Sequence, residues 1–136
     1  MPHFSETSRV RLDTCHPDLV RLCERAIQNW DFSVLCGHRG REEQERAYRE
    51  GRSKARWGES PHNAWPSRAV DLWPYPIRWV DTDRARVFAG YLLGLAAAMG
   101  IRLRWGGDWH GELCTRPSDE RRHSFDDLPH FELVED

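Results

Sequence analysis

Ser67-Arg68-Ala69-Val70-Asp71-Leu72-Trp73 sets an acid in the middle of an apolar run. Ala69 to Trp73 reads as a β-strand, with the irregular segment Arg52 to Pro66 before it and the Pro74-Tyr75-Pro76 break after it. A carboxylate buried in such a strand costs several kcal/mol unless it is paired or metal-bound. That cost favours a ligand role for Asp71 over a capping or turn aspartate.

On the N-terminal side, Leu19, Leu22, Cys23, Ala26, Ile27 and Trp30 recur at three- and four-residue steps, which predicts an amphipathic helix from Pro17 to Trp30. Phe32 to Cys36 is a short apolar strand closed by Gly37 and Gly40, and Arg41 to Glu50 is a second helix stopped by Gly51. On the C-terminal side, Asp81 or Thr82 can cap a long helix ending at Gly100, and Ile101 to Trp105 alternates like a strand. Gly106 to Asp126 reads as a loop, and Leu128 to Val134 as a last strand with Pro129 near its start. About three helices and four short strands make an α+β domain.

The 136 residues suit a single domain, 1–136, with no room for a second domain with its own core. Twenty Lys and Arg stand against 22 Asp and Glu, so no bulk positive charge exists for binding nucleic acid. Met1 to Asp13 lacks a signal-peptide core, which makes cytoplasmic synthesis the default, and Val87 to Met99 is shorter than the roughly 20 residues of a membrane span. Cys15, Cys23, Cys36 and Cys114 form no C-x-x-C pair and read as four buried, reduced thiols. Seven Trp and seven His are the unusual feature, since Trp supplies rigid contact surface and His supplies proton transfer or metal ligation.

Chemistry concentrates in two segments. His62 precedes Asp71 by nine residues, and Asp126-Asp127-Leu128-Pro129-His130-Phe131-Glu132 places acids around a second histidine. Two imidazoles and a carboxylate form a three-ligand set that leaves a zinc coordination position open, and a further carboxylate can take a proton from water. Asp127 lies three residues before His130, an odd separation that sends strand side chains to opposite faces. Both can serve one site only if the chain bends, and Pro129 supports a bend.

Ser60-x-His62, Ser67-Arg68-Ala69-Val70-Asp71 and Asp127-Leu128-Pro129-His130-Phe131-Glu132-Leu133 together resemble the VanY-like zinc peptidases. That family includes D-alanyl-D-alanine carboxypeptidases and the L-alanyl-D-glutamate endopeptidases that phages use as endolysins. His16-Pro17-Asp18-Leu19, Gly37-His38-Arg39 with Glu43-Gln44, and Trp105-Gly106-Gly107-Asp108-Trp109 follow in the family's order, so the resemblance spans nearly the whole chain. It departs in one spacing: the commoner pattern separates histidine and aspartate by seven residues around a glycine. Here the gap is nine with Pro66-Ser67 in the middle, as in a phage-associated branch, and the extra residues are expected to bulge in a loop.

The resemblance implies a small domain of the Hedgehog/DD-peptidase type, with a short, mostly antiparallel sheet packed by about three helices. It implies one Zn2+ per chain on His62, Asp71 and His130, with Asp127 as general base and Arg39 contacting a substrate carboxylate or the attacked carbonyl. Asp126 is the alternative base. Glu132, two residues after His130 and on the same strand face, is expected to orient that ligand. Ser60, Trp65, Trp105 and Trp109 are candidate substrate contacts, whereas Trp30 and Trp79 are expected to pack. His110 and His123 read as solvated loop residues with substrate contact as the alternative, Asp108 as a backbone anchor, and the basic stretch from Arg39 to Arg56 as a solvated face.

The expected function is a zinc-dependent peptidoglycan peptidase, a phage or prophage endolysin cleaving the L-alanyl-D-glutamate bond of the stem peptide. D-alanyl-D-alanine carboxypeptidase and a non-catalytic zinc-stabilised wall-binding module are the alternatives, and an acid at Asp127 counts against the module. The endolysin reading implies a monomer that inserts in no membrane and reaches the wall after release by a separate permeabilising protein.

Overall fold

The computed structural model describes residues 2–122 and 125–135. Four helices, α1 (Glu6–Leu12), α2 (Pro17–Ala26), α3 (Arg41–Arg49) and α4 (Thr82–Ala98), accompany four strands, β1 (Phe32–Cys36), β2 (Ala69–Pro74), β3 (Leu103–Trp105) and β4 (His130–Leu133). The sheet order is β1-β2-β4-β3 and every pairing is antiparallel. The α+β architecture with a short antiparallel sheet agrees with the sequence expectation.

Strand alternation divides the sheet into two chemically distinct faces. Val34, Val70, Leu72 and Phe131 enter a core with Leu19, Leu22 and Cys23 of α2 and Phe88 and Leu92 of α4. Asp71, between Val70 and Leu72, points the other way. A register irregularity between Val34 and Cys36 brings Cys36 opposite Asp71 on one side, while His130 of β4 lies opposite Asp71 on the other.

Helix α1 was not apparent from the sequence. It is short and buries only Ser8 and Leu12, too few positions to make a visible apolar period. Its role is to cover the outer edge of β1: Val34 N–H donates to Ser8 Oγ at 2.9 Å, and Arg11 donates to the Val34 carbonyl at 3.1 Å. Helix α2 ends at Ala26 rather than Trp30, because the chain tightens into turns in which Gln28 and Asn29 donate three residues back. Asp81 caps α4 through Arg84 N–H at 3.2 Å.

The expectation of four buried thiols is corrected. Cys15 and Cys23 are buried, but Cys36 is half-buried and Cys114 is exposed. Burial pushes the Cys15 thiol up to about 12, keeping it protonated. Among the described residues, no helix is long and apolar enough to cross a membrane.

Candidate active site

Asp71 reaches its neighbours by sheet register, whereas His62 arrives on a separate turn. Residues Pro61–Asn63 form a single 3₁₀ turn in which Ser60 Oγ accepts His62 N–H at 3.2 Å and Asn63 Oδ1 accepts Ser60 N–H at the same distance. Arg39 N–H donates to the His62 carbonyl at 2.8 Å, and Asn63 Nδ2 donates back to the Arg39 carbonyl at 3.2 Å. The turns carrying Arg39 and His62 are thereby joined backbone to backbone. Gly37 lets the turn that carries Arg39 lie against the end of α1, because a Cβ there would collide with the Arg11 carbonyl and Thr14 Oγ1.

His62, Asp71 and His130 converge on one oxygen. His62 Nε2 lies 3.1 Å from Asp71 Oδ1, and His130 Nδ1 lies 3.3 Å from the same atom. The other nitrogen of each ring is already committed: His62 Nδ1 donates to the Gly37 carbonyl at 2.7 Å, and His130 Nε2 donates to Glu132 Oε1 at 2.8 Å. Carbonyl and carboxylate oxygens only accept, so in the neutral rings the two nitrogens facing Asp71 are lone-pair donors. Three lone-pair groups around one point require a cation between them, either protons or a metal ion. The donor set therefore fits a divalent metal, with carbonyl and carboxylate supports behind both imidazoles.

Proton affinities report the same demand. Burial alone would lower the His62 pKa, but the hydrogen bond and charge of Asp71, then Cys36, outweigh it and carry it up to about 10. At His130 burial is likewise outweighed, here by hydrogen bonds to Asp71 and Glu132, and its pKa is raised. Burial works to raise the Asp71 pKa, yet hydrogen bonds to His130 and His62 hold it well below the usual carboxylate range.

These groups line a cleft of about 610 Å³, together with Arg39, Asp127 and Glu132. Arg39 Nη2 lies 3.8 Å from Asp71 Oδ2 while Nη1 donates to Gln44 at 3.1 Å. Asp127 precedes β4 in a bend: its N–H donates to the Gly106 carbonyl at 2.9 Å, and its own carbonyl accepts His130 N–H at 3.1 Å. Burial, then the charge of Asp71, pushes its carboxyl pKa up. Asp126 also touches the cleft but pairs with Arg121 at 3.2 Å and Arg86 at 3.8 Å.

The structure separates the tryptophans. Trp109 lines the cleft and packs against His130, with ring centroids 5.2 Å apart. Trp105 is corrected from cleft wall to core residue: it is buried, and its indole N–H donates to the Leu128 carbonyl at 2.7 Å, which fixes the bend before His130. Trp65 is corrected as well, since it is 71% exposed, packs edge-on against His38 and lies outside the cleft lining. Ser60 borders the cleft while its hydroxyl serves the His62 turn. Trp30 packs on Phe88 and Tyr91, and Trp79 lies against Trp73 with much of its surface exposed. His110 is exposed, Asp108 accepts the N–H groups of Glu112 and Leu113, and His123 lies outside the described residues.

Sequence reasoning named Cys36 and Gln44 without giving either a part in the site. Cys36, His62 and Asp71 each place a donor atom within 4.8 Å of the other two. Cys36 approaches His62 at 3.9 Å on the Nδ1 side, where the Gly37 carbonyl is closer, so it stands at the edge of the set. Gln44 is fully buried and uses its amide to bind Arg39, Asn63, Ser53 and the Ala55 carbonyl. Its place on the inner face of α3 was the available signal.

Comparison with known proteins supplies the class. The crystal structure of the Serratia marcescens L-Ala D-Glu endopeptidase ChiX is similar with a TM-score of 0.74 and 29% identity, over 96% of this chain and 89% of that one. No protein among curated ones matches significantly. The fold is that of a peptidoglycan peptidase. The chain belongs to the phage L-alanyl-D-glutamate peptidase family, whose profile matches residues 1–134.

Proposed function

We propose that this chain is a zinc-dependent endolysin of phage or prophage origin, a single catalytic domain that cuts the L-alanyl-D-glutamate bond of the peptidoglycan stem peptide. The observation that carries the reading is the convergence of His62 and His130 on Asp71 Oδ1 in the cleft that Asp127 also lines. Family membership and the likeness to an L-Ala D-Glu endopeptidase support the choice of bond.

His62, Asp71 and His130 would hold the zinc, which when bound supplies Lewis acidity and acidifies water at neutral pH. Asp127 accepts a proton from the attacking water and returns it to the leaving amine, a task suited to a carboxyl whose pKa burial has raised. Arg39 offers positive charge to the oxygen of the attacked carbonyl. The Gly37 carbonyl and Glu132 keep both imidazoles oriented, and Trp109 and Phe125 supply an apolar wall.

Mass spectrometry of purified peptidoglycan after digestion tests this reading. New L-alanine C-termini with matching D-glutamate N-termini are expected. Release of single D-alanine would assign a carboxypeptidase instead, and stoichiometric zinc without any cleavage would assign a wall-binding module.

A further inference from the structure

The three cations of the cleft are unequally committed. Arg39 is tied to Gln44 and faces Asp71, and Arg52 donates to Glu50 twice, at 3.0 and 2.7 Å. Of these three, Lys54 alone pairs with no carboxylate of the described residues; its ammonium sits 4.4 Å from the centroid of the Phe125 ring across the cleft. Its neighbours Ser53 and Ala55 are both held by Gln44 Nε2, at 3.1 and 2.6 Å. The buried amide that orients Arg39 therefore also fixes the backbone presenting Lys54.

We propose that Lys54 is a specificity residue that binds a free carboxylate of the acidic stem peptide at the mouth of the cleft. The proposal rests on the endopeptidase reading given above. The cleft lining is otherwise rich in acids, with Glu59, Asp71, Asp126, Asp127 and Glu132. An acidic peptide entering it meets repulsion unless a cation is available. Asp71, Asp126 and Glu132 are paired with His or Arg, which leaves Lys54 as the charge able to exchange a weak aromatic contact for a carboxylate. Phe125 continues through Trp109, at 5.9 Å between centroids, to His130, so a group bound at Lys54 lies along the wall leading to the reacting centre.

Two carboxylates of the stem peptide share this chemistry, that of the glutamate and that of a residue further along. Peptide pairs amidated at one or the other distinguish them. Calorimetric Kd values are measured on zinc-loaded Asp127→Asn protein, with and without Lys54→Gln, at low salt. With Lys54 intact, the acid form of one pair binds on the order of fivefold tighter than its amide. Lys54→Gln brings that ratio to about one, and Lys54→Arg retains it. A ratio that survives Lys54→Gln, or no preference with Lys54 present, overturns the proposal. Cleavage of the acid peptide by wild-type protein is scored separately: failure to cut at the alanyl-glutamate bond overturns the endopeptidase reading, whereas the binding ratio judges Lys54 alone.

Discussion

Glu132 Oε1 lies 2.8 Å from His130 Nε2, on the opposite side of the ring from the nitrogen that faces Asp71. Arg104 in turn approaches Glu132 at 3.4 Å from the paired position on β3. The carboxylate fixes the tautomer of His130 and makes its free nitrogen more basic. Glu132→Ala is therefore expected to weaken zinc affinity by about 10- to 100-fold, read by competition with a chelator. An affinity equal to wild type would remove Glu132 from the ligand's support.

The adjacent acids Asp126 and Asp127 should behave differently. Asp127→Asn removes the carboxylate proposed to handle the proton and should lower kcat by about 10²- to 10⁴-fold while zinc content stays stoichiometric. Asp126 is engaged with Arg121 and Arg86, so Asp126→Asn should cost less than about 1 kcal/mol of stability and leave kcat close to wild type. Steady-state cleavage of a defined stem peptide, with metal analysis of each variant, decides the assignment. The reverse ranking would make Asp126 the base.

Asp71 was legible because a charge inside Ala69-Val70-Leu72-Trp73 violates the strand pattern, and the helix from Thr82 was legible from its cap and length. The convergence of His62 on Asp71 was expected from the family motif, but the contact is made by the Ser60 and Asn63 capping bonds and the Arg39 turn, which no periodicity reveals. Cys36 was given no part in the site because a local shift in β1 register, absent from any local sequence pattern, sets it opposite Asp71. Trp105 and Trp109 are near neighbours in sequence with opposite fates. Strand β3 sends the first into the core, while the loop after it carries the second to the cleft.

Metal removal should expose a pH dependence whose alkaline side is set by His62, with His130 shifted the same way, and whose acid side is set by Asp71. The His62 pKa, raised to about 10, lies above its unfolded value of roughly 6.5, so its contribution is full below that value and lost as pH rises toward 10. Asp71 is depressed, so its contribution is present above roughly pH 4 and lost as pH falls through its folded value. Chelated protein should thus be most stable between about pH 4 and 6.5 and weaken toward pH 9. Zinc bound at these residues would take the place of the protons, which compete with it less at high pH, so its stabilisation should grow over the same interval. Urea denaturation at pH 6 and pH 9, with and without zinc, measures both trends. A chelated protein equally stable at the two pH values would contradict the cation requirement at His62, Asp71 and His130.

Gly106 is the point where β3 hands over to the bend that carries Asp127. Its N–H donates to the His130 carbonyl at 2.8 Å and its carbonyl accepts Asp127 N–H at 2.9 Å, so one residue spans both the proposed base and a proposed ligand. A Cβ at this position would meet the Asp127 carbonyl oxygen well inside van der Waals contact, and that oxygen is backbone, already bonded to His130 N–H. Relief requires the bend to move away from β3. Gly106→Ala should accordingly cost roughly 1–3 kcal/mol of stability. It should also lower kcat for the protein that remains folded, because displacing Asp127 by even 1 Å can cost about 10²-fold. Thermal denaturation gives the first effect and turnover per folded, zinc-loaded molecule gives the second. A variant that loses stability but turns over like wild type per folded molecule would show that Asp127 is held by contacts other than its close approach to Gly106.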